Sequence, residues 1–129
     1  QKAQRDLSIN YKVLLDSMNE GQQQKIVVQV KGGQKAICIK DIVALEANSA
    51  YCIIHTQEQG KFLYSKHLKY FEELLADNKS FIRTHKSWII NSNYMEQYSK
   101  SGLTVSLKGG IQAKLSKYKK DNFEALVAN

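Results

Sequence analysis

From Lys25 onward the chain alternates between short apolar runs and glycine-rich or polar breaks, and the period of the apolar positions changes along it. IVVQV (26–30) and AICI (36–39) flank Lys31-Gly32-Gly33-Gln34. That is a hairpin signal, because glycine reaches the positive φ of a tight turn without a Cβ clash. IVALEA (42–47) and YCIIHT (51–56) are parted by Asn48-Ser49-Ala50, whose small polar residues favour a turn. After the strand FLYS (62–65) the period becomes helical. Leu68, Phe71, Leu74 and Leu75 share one face of a segment spanning 66–76, with Ser65 as its predicted N-cap. Short runs return at FIRTHKSWIIN (81–91), YMEQY (94–98), LTVSL (103–107) and, beyond Lys108-Gly109-Gly110, IQAKL (111–115). A final helix is predicted over 118–128 around Phe123, Leu126 and Val127, capped by Ser116. The flanks of the two Lys-Gly-Gly turns differ too much for an internal repeat.

Ahead of all this, residues 4–19 carry Leu7, Tyr11, Leu14, Leu15 and Met18 at helical spacing, and NEGQQQ reads as a linker. The chain therefore divides into a helical linker or extension, 1–24, and a domain, 25–129, that is mostly β with few short helices. Roughly eight strands joined by tight turns point to antiparallel pairing. At 129 residues there is enough chain for one real core. No apolar run approaches the ~18–20 residues of a membrane span, and QKAQRDLSIN lacks the apolar stretch of a signal peptide. With no initiator Met, the expectation is a cytoplasmic segment of a longer protein. Cys38 and Cys52 lie in apolar strands, which favours buried thiols over a disulfide.

Charge changes the picture through its placement. The net charge is +7, yet residues 79–120 hold nine Lys or Arg against the single acid Glu96, while 41–78 hold six acids against three bases. Such concentration suits a polyanion partner. A merely lysine-rich surface is the competing explanation, and composition alone does not separate them.

Enzyme chemistry finds little support. Either cysteine with His55, His67 or His85 makes a conceivable nucleophile–base pair, but both thiols sit in strand patterns that bury and protonate them. No C-x-x-C or H-x-x-x-H spacing offers a metal site, and the Gly-Gly pairs are turns rather than phosphate loops. No cofactor is expected. His55 and His67 read as ordinary surface or boundary residues. What remains is the cluster Arg83-Thr84-His85-Lys86-Ser87, set between Phe81-Ile82 and Trp88-Ile89-Ile90. Cations and neutral donors in front of an apolar anchor form a rigidly presented contact surface for phosphates and base edges. A solubilising strand edge would look similar. Ser116-Lys117-Tyr118-Lys119-Lys120 is a second basic segment, whose backbone N–H groups at a helix start offer a phosphate site. With few aromatics interleaved among the bases, duplex DNA is preferred over single strands or RNA.

In this order the motifs DIVALEANSAYCIIHT, YSKHLKYFEELL, SFIRTHKSWIINSNYM and LTVSLKGGIQAKLSKYKKDNFEAL resemble the LytTR family, the DNA-binding output domain of bacterial response regulators. FIRTHKSWIIN is the most specific piece, matching the family's F-x-R-x-H-[KR]-S-aromatic-I-[IV]-N pattern. The resemblance implies an elongated antiparallel β fold of small stacked sheets. It also implies sequence-specific binding of double-stranded promoter DNA at direct repeats, with loops entering successive major grooves and the duplex bent. Carried onto this chain, it implies contacts from Asn48, Ser49 and Tyr51, from Arg83, His85 and Lys86, and from Ser116 and Lys117. Lys117 stands where the family has Arg, and Lys114 where it commonly has Pro, which retains phosphate charge but not bidentate base reading. The implied partners are a receiver domain in the same longer chain, a cognate histidine kinase and a second copy on DNA. A protein-interaction module using the basic surface to hold an acidic partner is the alternative.

Overall fold

The computed structural model describes residues 24–128, so the helix expected over 4–19 lies outside the described residues. Three antiparallel sheets are stacked through two apolar layers. The first is a hairpin of β1 (Lys25–Val30) and β2 (Gly33–Cys38), paired so that Val30 faces Gly33 across a Lys31-Gly32 turn. Gly32 has φ +87°, a region that disfavours side chains. The central sheet has five strands in the order β5-β4-β3-β7-β6. These are β3 (Ile42–Asn48), β4 (Tyr51–Thr56), β5 (Lys61–Tyr64), β6 (Phe81–His85) and β7 (Trp88–Asn91). The third sheet orders as β10-β9-β8, from β8 (Met95–Ser99), β9 (Thr104–Leu107) and β10 (Ile111–Lys114). Two helices complete the described chain, α1 (Leu68–Leu74) and α2 (Lys120–Val127).

The central sheet is buried on both faces, which explains its continuous apolar runs. On one side Leu45, Cys52, Ile54 and Ile89 pack with Ile26, Val28 and Ile37 of the first hairpin and with Leu68, Phe71 and Leu75. On the other, Val43, Ala44, Ile82, Trp88 and Ile90 meet Val105, Leu107, Ala113, Leu115 and Phe123. A register shift between Ile42 and Ala44 lets Val43 and Ala44 face the same layer consecutively. Trp88-Ile89-Ile90 feeds the two layers alternately, as the pleat requires. This is the anchor that the opposed Phe81-Ile82 and Trp88-Ile89-Ile90 runs predict.

Several local expectations are corrected. Ten strands are present among the described residues, not about eight, because FIRTHKSWIIN folds into two strands around a tight turn. Neither predicted serine caps its helix. The cap positions are His67 and Lys119, without side-chain cap bonds, and Ser116 Oγ instead accepts from the Tyr118 N–H at 3.1 Å. Of the four residues expected on the buried face of the first helix, Leu68, Phe71 and Leu75 are buried but Leu74 is exposed, and helix α1 is two residues shorter at each end than the predicted 66–76. Cys52 is a fully buried thiol, as expected, whereas Cys38 is only half-buried.

Candidate nucleic-acid interface

Strand direction brings the three sequence-selected segments to one end of the central sheet. β3 runs up to Asn48 and β4 leaves from Tyr51, the two residues being paired across a Ser49-Ala50 turn. Beside them, β6 runs up to His85 and β7 leaves from Trp88. The Ala47 N–H donates to the Ser87 carbonyl at 2.8 Å, fastening one turn to the other. β5 ends at the same level, since Tyr64 pairs with Cys52. Asn48, Ser49 and Tyr51 are all exposed there. Ser49 holds φ 61°, a left-handed conformation that costs a non-glycine residue roughly 1–2 kcal/mol.

The third segment is held by Thr84. β6 shifts register between Arg83 and His85, leaving Thr84 as the extra residue of a bulge. Its side chain is fully buried, and its hydroxyl donates to the Lys114 carbonyl at 2.8 Å. Its own carbonyl accepts the Ser116 N–H at 2.7 Å. Thr84 is therefore a clamp between the central sheet and the strand leaving the third one, not the exposed donor its neighbours suggest. Through it, Arg83, His85 and Lys86 come to line one cleft of about 540 Å³ with Ser116, Tyr118 and Lys119, and Glu72 of α1 lines it as well.

Within that cleft the predicted residues differ in what they have free. The Arg83 guanidinium donates from Nε to the His85 carbonyl (2.8 Å), from Nη2 to the Lys86 carbonyl (2.7 Å) and from Nη1 to Glu72 Oε1 (2.7 Å). Two of its five N–H donors shape the β6–β7 turn, and a third ties it to α1. His85 Nδ1 accepts the Ser87 N–H at 3.1 Å, which in the neutral ring places the proton on Nε2. Burial, then the charges of Lys114, Lys86 and Arg83, hold the His85 pKa below its ordinary value. Lys86, Lys117 and Lys119 are exposed and take part in no ion pair among the described residues.

The backbone site predicted at Ser116 is otherwise employed. The Ser116, Tyr118 and Lys119 N–H groups donate to Thr84 O, Ser116 Oγ and Ser116 O respectively, which leaves the side chains as the groups there that can meet an anion. Two further residues join this end that were not among the expected contacts, although Tyr118 lies inside the second basic segment. Tyr118 is 90% exposed, with Lys117 Nζ 5.8 Å from its ring centre; an aromatic inside a lysine run was the available signal. Lys66 lines a second depression with Tyr51, but its segment reads as part of a helix. His55 is not a surface residue. It is buried, stacked on Trp88 at 5.7 Å, and its Nε2 lies 3.0 Å from Glu46 Oε1.

Among the described residues no group of three or more His, Cys, Asp or Glu side chains is placed to hold a metal ion, and no helix is long and apolar enough to cross a membrane.

Three stacked antiparallel sheets with a basic end built of turns make a β-scaffold of the kind that presents loops rather than a helix. The family profile described as the LytTr DNA-binding domain matches residues 32–128, and the chain belongs to that family, a family of DNA-binding domains rather than enzymes. Among solved structures, the fold is similar to the LytTr DNA-binding domain of a Bacillus cereus protein described as a methyl-accepting/DNA response regulator. The TM-score is 0.72 at 24% identity, covering 84% of this chain and 100% of that one. No curated protein sequence matches the chain.

Proposed function

We propose that this domain reads a specific duplex sequence, as the output domain of a cytoplasmic two-component transcriptional regulator. The observation that carries the reading is the convergence of residues 48–51, 83–87 and 116–119 on one end of a rigid sheet. In that arrangement Lys86, Lys117 and Lys119 neutralise phosphates, which sets affinity and its salt dependence. Asn48, Ser49, Tyr51, His85 and Ser116 supply donors and acceptors for base edges. Arg83 acts mainly by fixing the turn that carries His85 and Lys86. The expected division at residue 24 stands with this reading, the preceding segment joining the domain to a receiver that answers to a histidine kinase.

Geometry also bears on how the duplex is approached. Neighbouring strands lie about 4.8 Å apart, so β4 and the 116–119 segment are separated by roughly 15–20 Å. Successive major grooves of straight B-DNA are about 34 Å apart. Side chains extend the reach, but a duplex bent toward the domain meets both loops more easily, and a second copy on a direct repeat extends the contact. Selection from a random duplex library at near-physiological salt tests the proposal. An enriched motif, repeated at about one helical turn, is the expected result. Salt-sensitive binding without any preferred sequence, persisting in a forced dimer, would overturn it in favour of an acidic protein partner.

A further inference from the structure

Glu72 is the one acid among the residues lining the cleft, which otherwise offers Arg83, His85, Lys86 and Lys119. For a surface that meets phosphate, a carboxylate in that place is costly, and stability does not explain it. The pair with Arg83 is solvent-accessible, its side chains 49% and 22% exposed, and such pairs contribute little. Its geometry is more informative. Glu72 sits on α1 next to Phe71, which is fully buried, so its backbone is fixed to the core. From there its Oε1 takes Arg83 Nη1 at 2.7 Å, while the same guanidinium donates to the carbonyls of His85 and Lys86. A planar fork with three acceptors in three directions has one orientation.

We infer that Glu72 is a positioning and specificity residue of the DNA-binding end, a conclusion that rests on the function proposed above. By holding Arg83, it keeps the fork on the two turn carbonyls and away from phosphate, so the turn carrying His85 and Lys86 is shaped before DNA arrives. By its charge, it weakens contact with any phosphate that arrives without matching bases. Losing the carboxylate thus has two separable consequences. Non-specific affinity rises, and discrimination falls when the hydrogen bond is also lost.

Glu72→Gln and Glu72→Ala separate these consequences, because Gln keeps an acceptor for Arg83 Nη1 and Ala does not. The first readout needs no DNA: solvent exchange of the Arg83 Nε–H, followed by ¹⁵N NMR on the full chain. Glu72→Gln should keep that hydrogen protected, and Glu72→Ala should expose it. The second is affinity for a duplex recovered by the selection and for a random duplex, in 0.15 M salt. Removing one opposing charge should tighten random-duplex binding about fivefold in both variants, and where Arg83, released in Glu72→Ala, meets a phosphate, the salt slope should steepen by about 0.9 in that variant alone. Only Glu72→Ala should lower the ratio of selected to random affinity, by roughly tenfold. Retained protection or an unchanged affinity ratio in Glu72→Ala overturns the positioning role, and unchanged random-duplex affinity in Glu72→Gln overturns the charge role. Absence of any sequence preference in the unaltered protein is instead a failure of the proposed function, and the exchange measurement then decides the positioning role by itself.

Discussion

Thr84→Val isolates the bond on which the geometry of the cleft depends. Valine has nearly the shape of threonine, so the fully buried site keeps its volume and no cavity opens. What disappears is the 2.8 Å hydrogen bond from the hydroxyl to the Lys114 carbonyl. Losing one partner of a buried bond costs about 1–3 kcal/mol, because the remaining polar group stays desolvated. Taking ~1.5 kcal/mol, and a urea dependence near ~1.5 kcal/mol per M for a domain of this size, the unfolding midpoint should fall by about 1 M with its slope unchanged. Trp88 is the only tryptophan and is buried against the layer that Thr84 joins, so its fluorescence follows the transition. Thr84→Ser is the companion variant. It keeps the hydroxyl and loses one buried methyl, worth about 0.8 kcal/mol, and should fall between valine and the unaltered protein. Selected-duplex binding should weaken in the valine variant even where it is fully folded, because the strand leading into residues 116–119 loses one of its two ties to Thr84, keeping only the backbone bond from the Ser116 N–H. A valine variant as stable as the unaltered protein, with undiminished binding, would refute the clamp.

Other predictions concern charge and titration. Lys86→Ala and Lys117→Ala, if each cation meets one phosphate, should each flatten the slope of log affinity against log salt by about 0.9 and weaken selected and random duplexes alike; an effect confined to the selected duplex would show base reading instead. His85, with its folded pKa below the unfolded value near 6.5, contributes stability that is present above pH 6.5 and is lost as pH falls from there through the folded value. Urea midpoints across that range should show the decline and His85→Gln should remove its share, whereas an identical pH profile in both would contradict the assignment. Since phosphate favours the imidazolium, duplex binding should tighten on acidification over the same window in the unaltered protein but not in His85→Gln. Burial outweighs the Arg83 charge and pushes the Cys52 thiol up to about 11, leaving about one part in a thousand as thiolate at pH 8. Iodoacetamide should therefore label Cys52 in urea but hardly in the native domain, as read by mass spectrometry, and equal labelling would show that the strand opens readily.

Much of the architecture is visible in local pattern. Paired glycines mark two hairpin turns, and the Trp88-Ile89-Ile90 run marks an apolar anchor, which the structure divides between the two buried layers. The basic segments were visible for the same reason: lysines have no place in those layers. What escaped the sequence is what depends on partners distant along the chain. Simple alternation cannot place Thr84, because the bulge beside it shifts the register and its partner Lys114 lies on another sheet. The burial of His55 follows from its stacking on Trp88, which is two strands away across the sheet. Arg83 reads as a free cation until Glu72 is seen against it, contributed by a helix whose sequence suggests only core packing. Helix ends were also misplaced: the helices begin after His67 and Lys119, beyond the two serines that suggested caps, and Ser116 turns its hydroxyl to the Tyr118 N–H instead.

The proposed contact residues and the core are separated by very few bonds, and under the function proposed above this constrains how base preference can be altered. His85 is adjacent to buried Thr84, and Asn48 follows Ala47, whose N–H is held by Ser87. The ends of β3, β6 and β7 thus cannot shift singly without breaking ladder bonds or moving Trp88 and Ile90 in the layer beneath. Because packed layers resist displacement of even a methylene, the loops keep a fixed mutual spacing and only their side chains adapt. On the function proposed above, changing the bases that are preferred should therefore require substitutions at Asn48, Tyr51, His85 or Ser116. Changing the distance between the two read segments requires altering the layer between sheets, where Thr84 sits. Specificity of contact and spacing of contact are written in different residues, and Thr84 belongs wholly to the second group.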